Sequence, residues 1–210
     1  MANINAPFGF RSVAPAGAGV FGRQKSDYNI IDQLAYGINI GDVIYFAAAG
    51  GEFAPAIDPR YAGQYITSNP TGAPAGVFVG CAYQDTLGNY IWGNHWVAST
   101  VTLNAQGAIA NVEDDLQNTV FEVQMDSTGL PQAGTTGPFY PVSAHAAGNA
   151  LGISSTVLTG ASPSATCTSS AIVRVLKLSP TPNNVFGAYA KAYALIAFNV
   201  WAATTAPQQP

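Results

Sequence analysis

Between Thr119 and Asp126 the chain reads T-V-F-E-V-Q-M-D, and Phe121, Val123 and Met125 alternate with Val120, Glu122 and Gln124. A period of two is that of a half-buried β-strand, with Phe121, Val123 and Met125 on its core face. The charged run Glu113-Asp114-Asp115 stands before it and the turn signal Asp126-Ser-Thr-Gly129 after it. Polar turns thus bound the strand at both ends. Further strands are predicted at Tyr28–Ile31, Gly41–Ala49, Val77–Tyr83, Trp96–Leu103, Ile109–Val112, Ala171–Leu178 and Ala188–Trp201. In Ala171–Leu178 only Arg174 and Lys177 interrupt an apolar run. The proline-rich stretch Gly50–Ala75 reads as turns. Gly129–Thr168, with no charged residue, reads as long loops holding one or two short strands. Ile31, Leu34 and Ala35 have helical spacing over too short a segment for more than one turn. The pattern predicts an all-β chain with no internal repeat.

The first 24 residues follow neither period. Met1–Gln24 holds Pro7, Pro15 and four glycines, and reads as an extended arm. Its Phe8, Phe10, Val13 and Phe21 would be poorly placed in water, so they are expected to dock on something. On an extended backbone Phe8 and Phe10, flanking Gly9, project to the same side. With Arg11 beside them to meet an acidic rim, these three are the candidate contact residues. Gly17-Ala-Gly19-Val-Phe-Gly22 matches G-x-G-x-x-G, but a dinucleotide site needs a strand before it and a helix after it. Here Ala14-Pro15 precedes and Arg23-Gln-Lys-Ser follows, so a chance match is the better reading. The expected organisation is an arm at 1–24, a single domain at 25–203 and a polar tail at 204–210. The tail's Pro207-Gln-Gln-Pro210 reads as a frayed end rather than an SH3 ligand.

Composition sharpens this picture. Only 9% of the 210 residues are charged, against about 25% in an average soluble domain. So few charges suggest that partners hide much of the surface, since interface cores are depleted in charge. No Lys or Arg occurs between Arg60 and Arg174, while six acids fall in that gap. A nucleic-acid partner, which needs a basic stripe, is not expected. Neither is a signal peptide or a membrane span. Met1–Phe10 lacks the required pattern, and the apolar stretch Val185–Ala203 contains Lys191. Cys81 and Cys167 are too far apart in sequence for a zinc or redox motif; free thiols are the expected state, with a disulfide left open.

Candidate chemistry is sparse. His95 and His145 stand in no metal-ligand spacing, and no G-x-S-x-G elbow occurs. A triad built in space from either histidine and Asp126 is conceivable, as in any chain of this length. Glu113-Asp114-Asp115 could be half of a calcium site, but adjacent carboxylates on an extended chain point to opposite faces, so a solvated turn is expected. Tyr90, Trp92 and Trp96 around His95 could form a platform for sugars, against the commoner reading as core or interface anchors. No catalytic, cofactor-binding or metal-binding residue is expected, and the chain reads as a non-enzyme.

Several segments occur in an order that resembles one family. They are Pro7-Phe-Gly-Phe-Arg11, Tyr28-Asn-Ile30, Ile40-Gly-Asp-Val43, Gly76-Val-Phe-Val-Gly80, Val112-Glu-Asp-Asp115, Val120-Phe-Glu-Val-Gln124, Arg174-Val-Leu176 and the Pro180–Asn184 turn. From about Pro7 to Val200 the chain resembles the head decoration, or cement, proteins of tailed bacteriophages. The resemblance implies a jelly-roll-like β-sandwich that forms homotrimers on the outer surface of an icosahedral capsid. Its partner would be the major capsid protein, bound at three-fold and quasi-three-fold positions where capsomers meet. The protein would be made in the bacterial cytoplasm and end on the virion. The alternative is the receptor- or glycan-binding head of a phage spike or fibre, using the aromatics around Trp92.

Overall fold

The computed structural model describes residues 3–15, 24–30, 34, 35, 37–46, 66, 67, 73–103, 107–132, 138–143 and 151–197. The expectations for the 17–22 glycine segment, Phe21, His145, the end of the closing strand and the 204–210 tail lie outside these residues. The chain is all-β, as its period-two segments predict. The strands are β1 (Arg11–Pro15), β2 (Gln24–Ile30), β3 (Ile38–Asn39), β4 (Val43–Phe46), β5 (Ile66–Thr67), β6 (Pro74–Gln84) and β7 (Tyr90–Gly93). They continue with β8 (His95–Trp96), β9 (Ala108–Glu113), β10 (Thr119–Gln124), β11 (Phe139–Tyr140), β12 (Val173–Leu178) and β13 (Lys191–Ile196). Two compact units share them, and the chain passes from one to the other four times.

The first unit comprises Met1–Gly22, Asp115–Ala144 and Thr156–Pro210. Its sheet runs β1-β10-β13-β12-β11, every neighbour antiparallel. Phe121 and Val123 stand opposite Ala194 and Ala192, and Val175 also faces Ala194. With Val173 and Ile196 these residues form the core face, each 0% exposed. The small alanines of β13 leave room for the bulky side chains on either side of it. Each buried Val, Ile or Phe contributes about 1.5–3 kcal/mol relative to exposure.

The prediction of a half-buried strand is corrected in one respect: every residue of β10 is buried. Glu122 is 2% exposed and Gln124 0%, because side chains and backbone from distant segments cover the polar face. After β10 the chain turns at Asp126, whose Oδ1 accepts hydrogen bonds from the backbone N–H groups of Thr128 (2.9 Å), Gly129 (3.3 Å) and Gly160 (3.2 Å). Gly129 has φ +76° and faces Gly187 so closely that a Cβ would lie 2.1 Å from its carbonyl carbon. Only glycine fits there.

The second unit comprises Arg23–Asp114 and His145–Ser155. Its main sheet runs β2-β9-β6-β4-β5 with β7 added to β6, and β3 pairs with β8. Tyr28, Ile30, Ile38, Ile44, Phe78, Ala110 and Val112 fill the core. Asp42 is a buried brace: it accepts from the Asn39 amide at 2.8 Å and from the Ser154 hydroxyl. That fixes the 151–155 segment, where Ile153 bridges Ile40.

Two expectations are corrected here. The acidic run is not a solvated turn, since Glu113 is 6% and Asp114 8% exposed and the Tyr28 hydroxyl donates to Asp114 at 3.1 Å. The strand expected over Trp96–Leu103 ends at Trp96. Ser99 sits at φ 59°, and the Thr100 hydroxyl bonds back to the Val97 carbonyl at 2.7 Å. Side-chain closure of a turn competes with extension of the strand.

Candidate docking face

The face of the first unit's sheet opposite its core gathers residues that are scattered in sequence. Arg11 on β1 stands opposite Glu122, Glu122 opposite Tyr193, and Tyr193 opposite Lys177. Alongside this row, Phe139, Arg174 and Leu195 form a second, and Lys191 faces Gln124. Four of the chain's seven cations thus lie on one face of one sheet. The unit that carries them has only three acids, against eight in the other unit.

Aromatic rings hold three of these cations in place. The Arg11 guanidinium lies 4.9 Å from the Phe8 ring centre and the Lys191 ammonium 5.7 Å from it on the same ring. Lys177 lies 5.5 Å from the ring of Tyr193. Each contact stabilises by about 0.5–1 kcal/mol where solvent reaches it. Arg174 and Lys177 are exposed, and Tyr193 and Leu195 are half-buried between them.

Glu122 pairs with Arg11 and offsets that one charge, which leaves Arg174, Lys177 and Lys191 to make the face positive. It accepts from Arg11 and Ser179 and, at 2.9 Å, from the Thr181 hydroxyl. Burial alone would raise its pKa. Hydrogen bonds from Ser179, Arg11 and Thr181, with the Arg11 charge, outweigh that and hold it below the ordinary carboxylate value. Asp126 behaves alike, its burial outweighed by hydrogen bonds from Thr128, Gly160 and Gly129. A depressed folded pKa stabilises the fold above the unfolded value, and this contribution is lost as pH falls through the folded pKa. Thermal stability should therefore fall as the solution is taken below about pH 4.5, and Glu122→Gln should flatten part of that fall. A melting temperature that is constant down to about pH 3 would contradict this reading.

At the rim of the face lies a hollow of about 290 Å³, lined among others by Ile4, Ala6, Pro182, Asn183, Tyr189 and Lys191. Asn183 and Tyr189 both have positive φ, 64° and 58°. The Gln124 side-chain amide holds the hollow's two sides, donating to the carbonyls of Ile4 (2.7 Å) and Tyr189 (3.1 Å). Asn3 joins in with bonds to the Val185 and Ala188 carbonyls, both 2.8 Å. A left-handed Tyr costs roughly 1–3 kcal/mol unless its surroundings fix it, and these bonds do so. The result is a preformed hollow beside a cationic surface.

The three contact residues read from the sequence fare differently. Arg11 lies on the face, its side chain 63% exposed. Phe8 is half-buried beneath the two cations. Phe10 is not a contact residue: it is 3% exposed and packs edge-on against Phe121, ring centres 6.0 Å apart. The two rings part company because Gly9 has φ 69°, so the backbone between them is not extended. Arg174, Lys177, Lys191 and Tyr193 were missed, since nothing in the linear order links them.

The remaining candidates stand as follows. His95 accompanies the Asn94 side-chain oxygen at 2.9 Å and packs on Gly152. The Asp126 carboxylate is committed to its own turn. Cys81 and Cys167 are free thiols; burial pushes Cys81 up to about 12, so it stays protonated. Among the described residues no group of three metal-ligating side chains occurs, and no helix is long and apolar enough to cross a membrane. Comparison with known protein families, curated proteins and solved structures returns no match.

Proposed function

We propose that this chain is a capsid decoration protein: a non-enzymatic structural component that binds the outside of an icosahedral phage head as a homotrimer and stabilises it where capsomers meet. The observation that carries the reading is the cationic, aromatic-backed face of the first unit, on a chain otherwise short of charge. The ordered resemblance of its segments to phage cement proteins supplies the partner, the major capsid protein. The mechanism is mechanical. A shell packed with DNA is pushed outward, and its weakest seams lie between capsomers. A trimer presents three copies of the face, so the second and third contacts form at high effective concentration. Weak individual contacts then add to a durable clamp.

Charge on the face steers and orients the encounter with an acidic capsid surface. Arg174→Glu with Lys177→Glu should leave the fold intact, because both side chains are exposed. Binding to undecorated heads should fall by about tenfold or more, most sharply at low salt. Undiminished co-sedimentation of the double variant with heads would remove this face from the contact.

A further inference from the structure

The second unit contains a separate cavity that the docking reading does not use. It measures about 160 Å³ and lies on the outer face of the main sheet. Cross-strand register builds its floor: Asn29 stands opposite Ile109 and Ile109 opposite Ala82, while Trp92, opposite Ala82 on β7, stands beside the cavity and outside its lining. One step along, Gln84 stands opposite Tyr90. Thr102, Leu103 and Gly107 contribute a further wall. Small Ala82 leaves a shelf between an amide on one side and aromatic rings on the other.

Three observations define what would bind. First, no charged residue is among the described lining, so the site has no group to pair with an anion or to ligate a metal ion. Second, Asn29 is only 6% exposed, yet it lines the cavity with no side-chain hydrogen-bond partner among the described residues. Its amide is therefore left to water in the cavity, which a ligand hydroxyl can replace and a purely apolar ligand cannot. The amide of Gln84, also on the lining, likewise has no partner among the described residues. Third, Tyr90 is 70% and Trp92 74% exposed, two residues apart on the outer side of β7. Large rings left in water beside free amides suit a ligand with an apolar face and a polar rim.

We infer that this cavity is a binding site for a neutral sugar, taking one pyranose ring. The apolar C–H face of the ring lies on Tyr90, with its outer edge toward neighbouring Trp92, and its hydroxyls bond to Asn29 and Gln84. The volume is well under the roughly 300–1,000 Å³ of pockets that engulf drug-sized ligands, so binding is weak per site and gains from several copies. On a particle decorated with many copies, such sites would hold it to glycan-bearing surfaces. The inference is independent of the docking face, and failure of either leaves the other standing.

The test is saturation-transfer NMR on the full chain with three probes: the methyl β-glycosides of glucose, galactose and N-acetylglucosamine. Transfer to the ring protons of at least one is expected. Tyr90→Ala and Trp92→Ala, both at exposed positions, should each reduce it by about tenfold, with the melting temperature unchanged. Asn29→Ala should reduce it as well. Because Asn29 is buried and its replacement puts the fold at risk, Gln84→Ala provides the second amide test. No transfer from any of the three probes, or transfer that Tyr90→Ala leaves undiminished, overturns the inference. So does binding of uridine in place of the sugars, or a dilution-dependent diffusion rate that Trp92→Ala abolishes, which would assign the patch to a second copy.

Discussion

Val123→Asp should leave the first unit unfolded. Val123 is 0% exposed on β10, opposite Ala192 and beside Phe121 and Met125, which are equally buried. A carboxylate there would have no cation on the core face, where the neighbouring side chains are apolar. Burying an unpaired charge costs several kcal/mol even after its pKa shifts, a large share of the 5–15 kcal/mol that holds typical domains together. Leu195→Asp is the control: it puts the same charge on the other face of the adjacent strand, next to Arg174. That variant should keep the fold. Urea denaturation followed by circular dichroism separates the two, and equal midpoints for both variants would show that the faces are misassigned.

Phe10→Ala should destabilise the protein by about 3–5 kcal/mol, the usual loss for a buried aromatic cut back to alanine. Deletion of residues 2–15 should cost more. It removes Phe10, strips β1 from the edge of β10 and leaves Glu122 without Arg11. A buried carboxylate that loses its cation is itself strongly destabilising. Had the first residues been a free arm, the truncated chain would fold normally and lose only its binding. An unchanged urea midpoint for the deletion would restore that view.

The all-β class and the main strands were legible because their signal is local. The alternation of Phe121, Val123 and Met125 marks β10, and Ala171–Leu178 marks β12 to within two residues. What stayed hidden depends on residues far apart in sequence. Glu122 and Gln124 look solvent-facing until Ser179, Thr181, Ile4 and Tyr189 close over them. β1 escaped notice because an edge strand of five residues ending in Pro15 has too few positions to show a period. The hairpin into β7 did carry a signal, Asp85-Thr-Leu-Gly-Asn89, where the Asp85 carboxylate caps the backbone amides of Leu87 and Asn89. The cationic face was the least legible part. Arg11, Arg174, Lys177 and Lys191 become neighbours only through the strand order, which no local pattern encodes.

The most direct measurement mixes the purified protein with undecorated heads, images the particles and follows DNA release on heating. The account predicts trimers at the three-fold positions of the outer shell and DNA retained to a higher temperature than in bare heads. Folded protein that leaves the heads undecorated at every concentration, with release at the temperature of bare heads, would contradict it.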